Sequence, residues 1–115
     1  IKKGVYKMIG THRTAITTND NHELMVCYHS TAVVTIKTDN NNNRYAVLKS
    51  GGWLTKTTKV RMNQASEEFK LNYLVYQKGW VWYVKTPKMT AEYYDGIVID
   101  VATGNISKEL TSNIS

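Results

Sequence analysis

Cysteine, proline and long apolar runs are all scarce in this 115-residue sequence, and each shortage excludes a class of protein. With a single cysteine, Cys27, the chain cannot form an internal disulfide. No apolar run reaches the roughly 20 residues that a membrane-spanning helix needs. The first residues, Ile1-Lys2-Lys3-Gly4, lack the apolar core of a signal peptide. A soluble cytoplasmic protein is therefore the expectation.

Metal and cofactor motifs are also missing. The three histidines, His12, His22 and His29, lack helical ligand spacing, and no second cysteine accompanies Cys27. Gly51-Gly52 followed by Lys56-Thr57 resembles a phosphate loop only superficially, because that motif requires adjacent glycine and lysine. Nucleophile elbows and dinucleotide fingerprints are absent as well. The sequence implies no metal, no cofactor and no recognisable catalytic residues.

Positive charge is abundant and unevenly distributed. The net charge is +6, but residues 1–88 carry +9 and residues 89–115 carry −3. The basic part could attract nucleic acid or an acidic protein surface. Alternatively, the acidic C-terminal part neutralises the basic part internally, and the charge pattern alone leaves both readings open.

Residues 51–64 are the stretch around which the chain is organised, because strand patterns end there and the one convincing helix begins. Gly51 and Gly52 permit positive φ, and Thr57 or Thr58 is a candidate helix cap. Apolar residues then recur at helical spacing, which predicts a helix over about residues 57–71. The residues of this apolar face are Thr58, Met62, Ala65 and Phe69.

The charge order of the predicted helix is reversed. Acidic side chains normally favour the start of a helix, but here Lys56, Lys59 and Arg61 surround the start and Glu67 and Glu68 follow. An anion, such as a phosphate, that contacts the free amides at the helix start would stabilise this order. The alternative is that the basic side chains are simply solvated.

Antiparallel hairpins account for most of the remaining chain. The pattern predicts a hairpin over residues 12–29 centred near Asp20, and a second formed by residues 32–38 and 44–49 around an Asn-rich loop. A third covers residues 73–84, with Lys78-Gly79 as its turn, and residues 97–101 form a last strand. We expect an α+β fold in which one main helix packs on a mostly antiparallel sheet of about five to seven strands. Residues 1–115 form a single domain, and residues 106–115 are a candidate loose tail.

Aromatic and basic residues are interleaved around the helix start and the third hairpin, a mixture typical of single-stranded nucleic-acid binding. Trp82 is expected in the core, whereas Trp53 and Trp80 could be core or surface. Both faces of the hairpin over residues 73–84 carry large apolar side chains, so one face needs cover from the C-terminal segment, a second subunit or a ligand. The candidate nucleic-acid or anion-binding residues are Trp53, Lys56, Thr57, Lys59, Arg61, Lys78 and Trp80.

Two His-x-Thr triplets, His12-Arg13-Thr14 and His29-Ser30-Thr31, would become neighbours in the first hairpin. Paired triplets of this kind mark a phosphoesterase class in which histidine acts as acid or base. In that class they belong to two halves of a much longer chain. Strand-end histidines beside threonines of high β-propensity are therefore the stronger interpretation.

The stretch from His29 to Val34 and the stretch from Gly51 to Gln64 resemble a group of small tailed-bacteriophage proteins of unknown function. The group's pattern reads His-x-Thr-x-Val-Val, then Gly-Gly-Trp-x-Thr-x-Thr-Thr-Lys-x-Arg-Met-Asn-Gln, then an aromatic strand pair. The resemblance covers about residues 28–100. It implies a viral protein made in the infected bacterium and implies no activity.

Three hypotheses follow for function. The first is a non-enzymatic module whose basic surface engages nucleic acid or a nucleoprotein. The second is a phage inhibitor of a host or defence protein, or a minor assembly component, that acts by protein contact through residues 73–84; a homodimer is a further candidate assembly. The third and weakest is a small phosphoesterase that uses His12 and His29.

Overall fold

The computed structural model of the protein describes residues 8–108 and contains one helix and nine antiparallel strands within them. The elements in chain order are β1 (Thr14–Thr18), β2 (Leu24–Tyr28), β3 (Thr31–Thr38), β4 (Arg44–Leu48), α1 (Lys56–Phe69), β5 (Leu74–Lys78), β6 (Val81–Lys85), β7 (Thr90–Glu92), β8 (Ile97–Asp100) and β9 (Ile106–Lys108). The predicted α+β class is confirmed.

The strands form two sheets. The larger sheet has the order β1-β2-β3-β4-β8-β9, and the smaller has the order β5-β6-β7. The described residues contain nine strands, two more than the upper limit of the five to seven expected. The strands β7 and β9 have only three residues each, too few to show an alternating pattern in the sequence. Because β8 pairs with β4, the acidic C-terminal segment returns to the larger sheet next to the loop that leads into the helix.

The first two predicted hairpins are confirmed. β1 pairs with β2, with Ile16 opposite Val26, and β3 pairs with β4, with Ile36 opposite Ala46. Side-chain oxygens close both turns: the Asn19 side chain accepts hydrogen bonds from two backbone N–H groups of its loop, and Asp39 does the same in the Asn-rich loop. These are the local side-chain-to-backbone turns that Asn and Asp favour.

The predicted turn of the third hairpin is wrong by one residue. β5 pairs with β6 so that Lys78 lies opposite Val81, which leaves Gly79-Trp80 as the turn. Gly79 has φ +65°, and glycine at the first turn position is the type II′ pattern that suits the twist of a hairpin. The shift places Trp80 at the hairpin tip.

The helix starts and ends differently from the prediction in detail. Its cap is Thr55, whose hydroxyl accepts a hydrogen bond from the Thr58 backbone N–H, so the predicted caps Thr57 and Thr58 are wrong. The helix ends at Phe69 because Lys70 adopts a left-handed conformation with φ +55°. The buried face contains the predicted Thr58, Met62 and Ala65, with Phe69 half-buried, but it also contains Arg61 and Ser66.

The core lies between the helix and the two sheets. Its fully buried members include Val26, Leu48, Met62, Val84 and Ile97, which come from both sheets and the helix. A polar side chain also connects the helix to the smaller sheet. The Asn63 side-chain N–H donates to the Val75 carbonyl, and the Asn63 side-chain oxygen accepts from the Val75 N–H. The helix and the hairpin β5-β6 are therefore fixed to each other by hydrogen bonds as well as by packing.

Both ends of the chain lie partly outside the described residues. Residues 5–9 are a short apolar segment whose sequence favours a strand or extended edge. Residues 8 and 9 form no strand, and residues 5–7 lie outside the described part. Of residues 106–115, which were expected as a short extension or loose tail, residues 106–108 form β9 and pair with β8, while residues 109–115 are outside the described part.

Candidate functional site

The start of the helix meets the tip of the hairpin β5-β6. Lys59, in the first turn of the helix, donates a hydrogen bond of 3.0 Å from Nζ to Oε1 of Gln77. The same Nζ lies 5.1 Å from the centre of the Trp82 ring, within reach of a cation–π interaction. Gln77 in turn donates to the carbonyl of Gly79 in the hairpin turn. We call the side chains at the helix start and at the hairpin tip together the hinge corner, which is defined as Trp53, Lys56, Lys59, Lys78 and Trp80.

Two tryptophans of the hinge corner are exposed. Trp80 is 96% exposed at the hairpin tip, and Trp53 is 67% exposed in the loop before the helix. Trp82 is only 6% exposed and belongs to the core, as the sequence predicts. Packing in the core therefore does not account for the presence of tryptophan at positions 53 and 80.

Two lysines of the hinge corner are also exposed. Lys56 begins the helix and Lys78 ends β5, and neither side chain has a bonded partner within residues 8–108. Lys59 is half-buried and engaged with Gln77 and Trp82. Thr57 is half-buried at the second helical position. Because Lys56 and Lys59 are three residues apart, they lie on the same side of the helix.

Arg61 is not part of this surface. It is 7% exposed, and its guanidinium donates to the Thr14 hydroxyl (2.7 Å), the Gln64 side chain (3.0 Å) and the His12 carbonyl (3.4 Å). It also lies 5.8 Å from the centre of the Tyr28 ring. These contacts join the helix to the segment before β1, so the structure assigns Arg61 an internal role in place of the predicted contact with an external anion.

Carboxylates of the acidic C-terminal segment bind backbone N–H groups. Asp95 accepts from the N–H groups of Ser50 and Gly51, and Asp100 accepts from those of Ala102 and Thr103. Desolvation alone would raise the pKa of Asp95, but hydrogen bonds from Tyr93, Ser50 and Gly51 together lower it. The acidic segment thus reaches the loop before the helix, where it holds backbone amides.

A pocket of about 370 Å³ opens beside Trp53. It is lined by Tyr28 at the end of β2, by His29 and Ser30 in the β2-β3 turn, and by Trp53 and Thr55 in the loop before the helix. Sequence reasoning did not find this pocket. No spacing pattern signals it, because the hairpin β3-β4 separates its two walls along the chain and brings them together in space.

The two His-x-Thr triplets are neighbours, as expected. The His29 backbone N–H donates to the Arg13 carbonyl at 2.7 Å, and Thr14 lies opposite Tyr28. However, the Thr14 hydroxyl donates to the His12 carbonyl and accepts from Arg61, so it is occupied by internal bonds. Within residues 8–108, no group of three His, Cys, Asp or Glu side chains is arranged to hold a metal ion.

Comparisons with known proteins add a family. The single helix of residues 8–108, α1, falls short of the length and hydrophobicity that a membrane-spanning helix requires. A search of the curated proteins and a search of the solved structures each found no match. Residues 2–100 match the family described as Kyanoviridae Gp96 protein. Since this match extends over most of the 115 residues, the chain belongs to the Kyanoviridae Gp96 family, a phage family of unknown function.

Proposed function

We propose that this phage protein is a non-enzymatic binding module whose hinge corner engages single-stranded nucleic acid, free or in a nucleoprotein, in the host cytoplasm. The observation that carries the proposal is that Trp53 and Trp80 are exposed, as are Lys56 and Lys78, which have no bonded partner in the described part of the chain. Exposed aromatic rings stack on bases, and lysines neutralise phosphates. The arrangement needs no bound metal and no catalytic residue.

The internal use of the carboxylates supports the proposal. Asp95 and Asp100 hold backbone amides, and Asp39 closes the Asn-rich loop. These bonds involve neither Lys56 nor Lys78, so the positive charge of these two lysines stays available to a polyanion. Stacking on tryptophan contributes about 1–3 kcal/mol per base, and each phosphate contact adds a salt-dependent contribution.

The test is fluorescence anisotropy with labelled single- and double-stranded oligonucleotides at low and high salt. We expect micromolar or tighter binding of single strands that weakens steeply with salt. The variant Lys56→Gln/Lys78→Gln should bind roughly ten-fold more weakly and lower the salt slope by about two, one per phosphate contact.

The matched control is Lys85→Gln/Lys88→Gln, which removes the same charge at the opposite end of β6 from Trp80. It should bind nearly as tightly as the parent protein. Absence of salt-sensitive binding at micromolar protein would overturn the proposal. Equal losses of affinity in the two double variants would also overturn it, because they would mean that binding depends on net charge and not on the position of the lysines.

A second candidate function is supported by the apolar part of the same region. Leu54 is about half exposed in the loop before the helix, and Trp80 is almost fully exposed at the hairpin tip. An apolar surface of this kind also suits a protein partner, such as a host or defence protein, an assembly component or a second copy of the chain. Pull-down from host lysate distinguishes the two functions: a partner retained after nuclease and high salt, and lost in Trp80→Asp, favours protein contact. Sedimentation of the purified protein tests the homodimer.

A further inference from the structure

We infer that the pocket beside Trp53 is a subsite for one unstacked nucleobase of the bound strand. The inference rests on the proposed function and makes it specific, because it names where a base enters and which side chains receive it. It goes beyond the charge and exposure of the hinge corner, since it concerns a cavity with walls from two distant parts of the chain.

The volume and the lining of the pocket suit a flat aromatic ligand. Its volume of about 370 Å³ lies at the lower end of the range for small-molecule sites, about 300–1,000 Å³. Three of its five lining residues carry aromatic rings: Tyr28, His29 and Trp53. Every base has a π-face that stacks on such rings. The size favours a single base over a longer stacked run.

The Tyr28 wall is already held in place. The ring of His29 meets it edge-on, with 4.4 Å between the ring centres. The Arg61 guanidinium lies 5.8 Å from the Tyr28 ring centre and is itself fixed by the hydrogen bond to Thr14. Since the ring is held before any ligand arrives, binding loses little side-chain entropy at this wall.

Polar groups at the pocket mouth suit the edge of a base. Ser30 and His29 are exposed, and the Ser30 hydroxyl has no bonded partner within residues 8–108. The Thr55 hydroxyl, in contrast, is engaged with Thr58 as the helix cap. Ser30 and His29 are therefore the side chains that offer hydrogen bonds to the ligand.

The charge around the pocket selects a nucleotide over an apolar protein side chain. None of the lining residues is acidic, and the next residue in the chain after the lining residue Thr55 is Lys56. Exposed Lys56 could contact the phosphate of a base that occupies the pocket. An apolar side chain from a protein would gain nothing from this lysine.

The test follows the indole N–H signals of the three tryptophans by NMR, with Trp53→Phe used to assign the Trp53 signal. The probes are AMP, a short deoxyadenosine oligomer, and an abasic deoxyribose-phosphate oligomer of the same length. We expect AMP and the deoxyadenosine oligomer to shift the Trp53 signal. The abasic oligomer should leave it nearly unchanged, although it carries the same charge.

A blocking variant gives a second readout. Ser30→Phe places a ring in the pocket mouth, and Ser107→Phe makes the same change at an exposed position in β9. Ser30→Phe should weaken binding of the deoxyadenosine oligomer roughly ten-fold, the scale of one lost stacking contact, while Ser107→Phe binds like the parent protein. Both positions are exposed, and thermal unfolding checks that each variant is folded.

The outcomes separate the pocket from the proposed function. Salt-sensitive oligomer binding with an unshifted Trp53 signal and an unaffected Ser30→Phe variant would overturn the pocket and leave the function standing. A Trp53 shift with AMP, lost in Ser30→Phe, without any oligomer binding would support the pocket and overturn the function. If neither AMP nor any oligomer moves the Trp53 signal, the pocket inference is wrong.

Discussion

Asp95 accepts two hydrogen bonds from Ser50, one from its backbone N–H and one from its hydroxyl, both at 2.8 Å. The second carboxylate oxygen accepts from the Gly51 N–H at 3.1 Å, and the Tyr93 hydroxyl donates to the first at 2.5 Å. Asp95, two residues before β8, thus anchors the start of the loop that carries Trp53 toward the helix.

Replacing the Asp95 carboxylate should lower the free energy of unfolding and make it depend less on pH. Hydrogen bonds keep the pKa of folded Asp95 below its ordinary value, although desolvation acts in the opposite direction. A lowered pKa means that the stabilisation is present above the unfolded-state pKa of about 3.9 and is lost as pH falls through the folded-state pKa. Asp95→Asn should therefore lose about 1–2 kcal/mol of unfolding free energy at neutral pH and less in acid. Urea denaturation over a pH series measures both.

Asp20→Asn is the control for the same change of charge. Asp20 is exposed in the turn between β1 and β2. We expect its unfolding free energy to remain within about 0.5 kcal/mol of the parent value, as for most surface substitutions. If the two variants show the same loss and the same acid dependence, the Asp95 hydrogen bonds do not anchor the loop.

The two glycines of the hinge form a matched pair for a second prediction. Gly51 and Gly52 both have positive φ, +66° and +88°, so alanine is strained at either position. A Cβ at Gly51 would also lie 2.8 Å from the Thr31 hydroxyl oxygen, whereas a Cβ at Gly52 would meet nothing within 4 Å. Gly52→Ala should therefore lose about 1 kcal/mol and Gly51→Ala clearly more, measured by thermal unfolding.

Removing the obstructing side chain tests the cause of that difference. The atoms that a Gly51 Cβ would approach belong to the side chain of Thr31. In the Thr31→Ala background, Gly51→Ala should lose no more than Gly52→Ala. An unchanged gap between the two alanine variants would mean that Thr31 is not the cause.

Local patterns explain why so much of the fold could be predicted. The first two hairpins are read from β-branched runs separated by Asn and Asp, and those same side chains close the turns by bonding their own loops. The apolar helix face at Met62 and Ala65 follows from spacing alone. Each of these features depends on residues close together in the sequence.

The features that the sequence did not predict correctly depend on a choice between adjacent residues of similar type or on contacts between distant residues. Lys78-Gly79 and Gly79-Trp80 are both acceptable turns, and the pairing of the strands selects the second. Thr55, Thr57 and Thr58 all have capping side chains, but only Thr55 precedes the first helical residue. The exposure of Trp53 and Trp80 could not be read from their types, because tryptophan fits both core and binding surface.

The Asn63 side chain offers a third prediction. Its amide donates to the Val75 carbonyl at 2.8 Å and its oxygen accepts from the Val75 N–H at 2.7 Å, so it completes the hydrogen bonds of β5 as a strand would. Asn63→Asp keeps the acceptor but places a second oxygen against the Val75 carbonyl. We expect a loss of about 2 kcal/mol or more in urea denaturation, larger than for Asn41→Asp in the exposed loop. Equal losses of unfolding free energy in the two variants would show that the hydrogen bonds between Asn63 and Val75 do not stabilise the fold.

Arg61 is the residue whose role sequence reasoning assigned least well. A cationic side chain near a helix start favours a surface interpretation, and its partners Thr14 and His12 lie 47 and 49 positions away. Among residues 8–108 its hydrogen-bond acceptors are all neutral: the Thr14 hydroxyl, the Gln64 side chain and the His12 carbonyl. The position of Arg61 also accounts for the glycine at position 10, because a Cβ there would lie 2.7–2.9 Å from the guanidinium atoms.

The last prediction is that Gly10 and Arg61 are energetically coupled. Arg61→Ala should lose about 2–4 kcal/mol, because it removes the hydrogen bonds to Thr14 and Gln64 together with the packing of a buried side chain. Arg61→Lys should lose part of this, since lysine lacks the guanidinium fork. Gly10→Ala alone should lose about 1–3 kcal/mol by displacing the guanidinium, but almost nothing in the Arg61→Ala background. Urea denaturation of the two single variants and the double variant measures the coupling. Strictly additive losses would show that Gly10 is not required by the packing of Arg61.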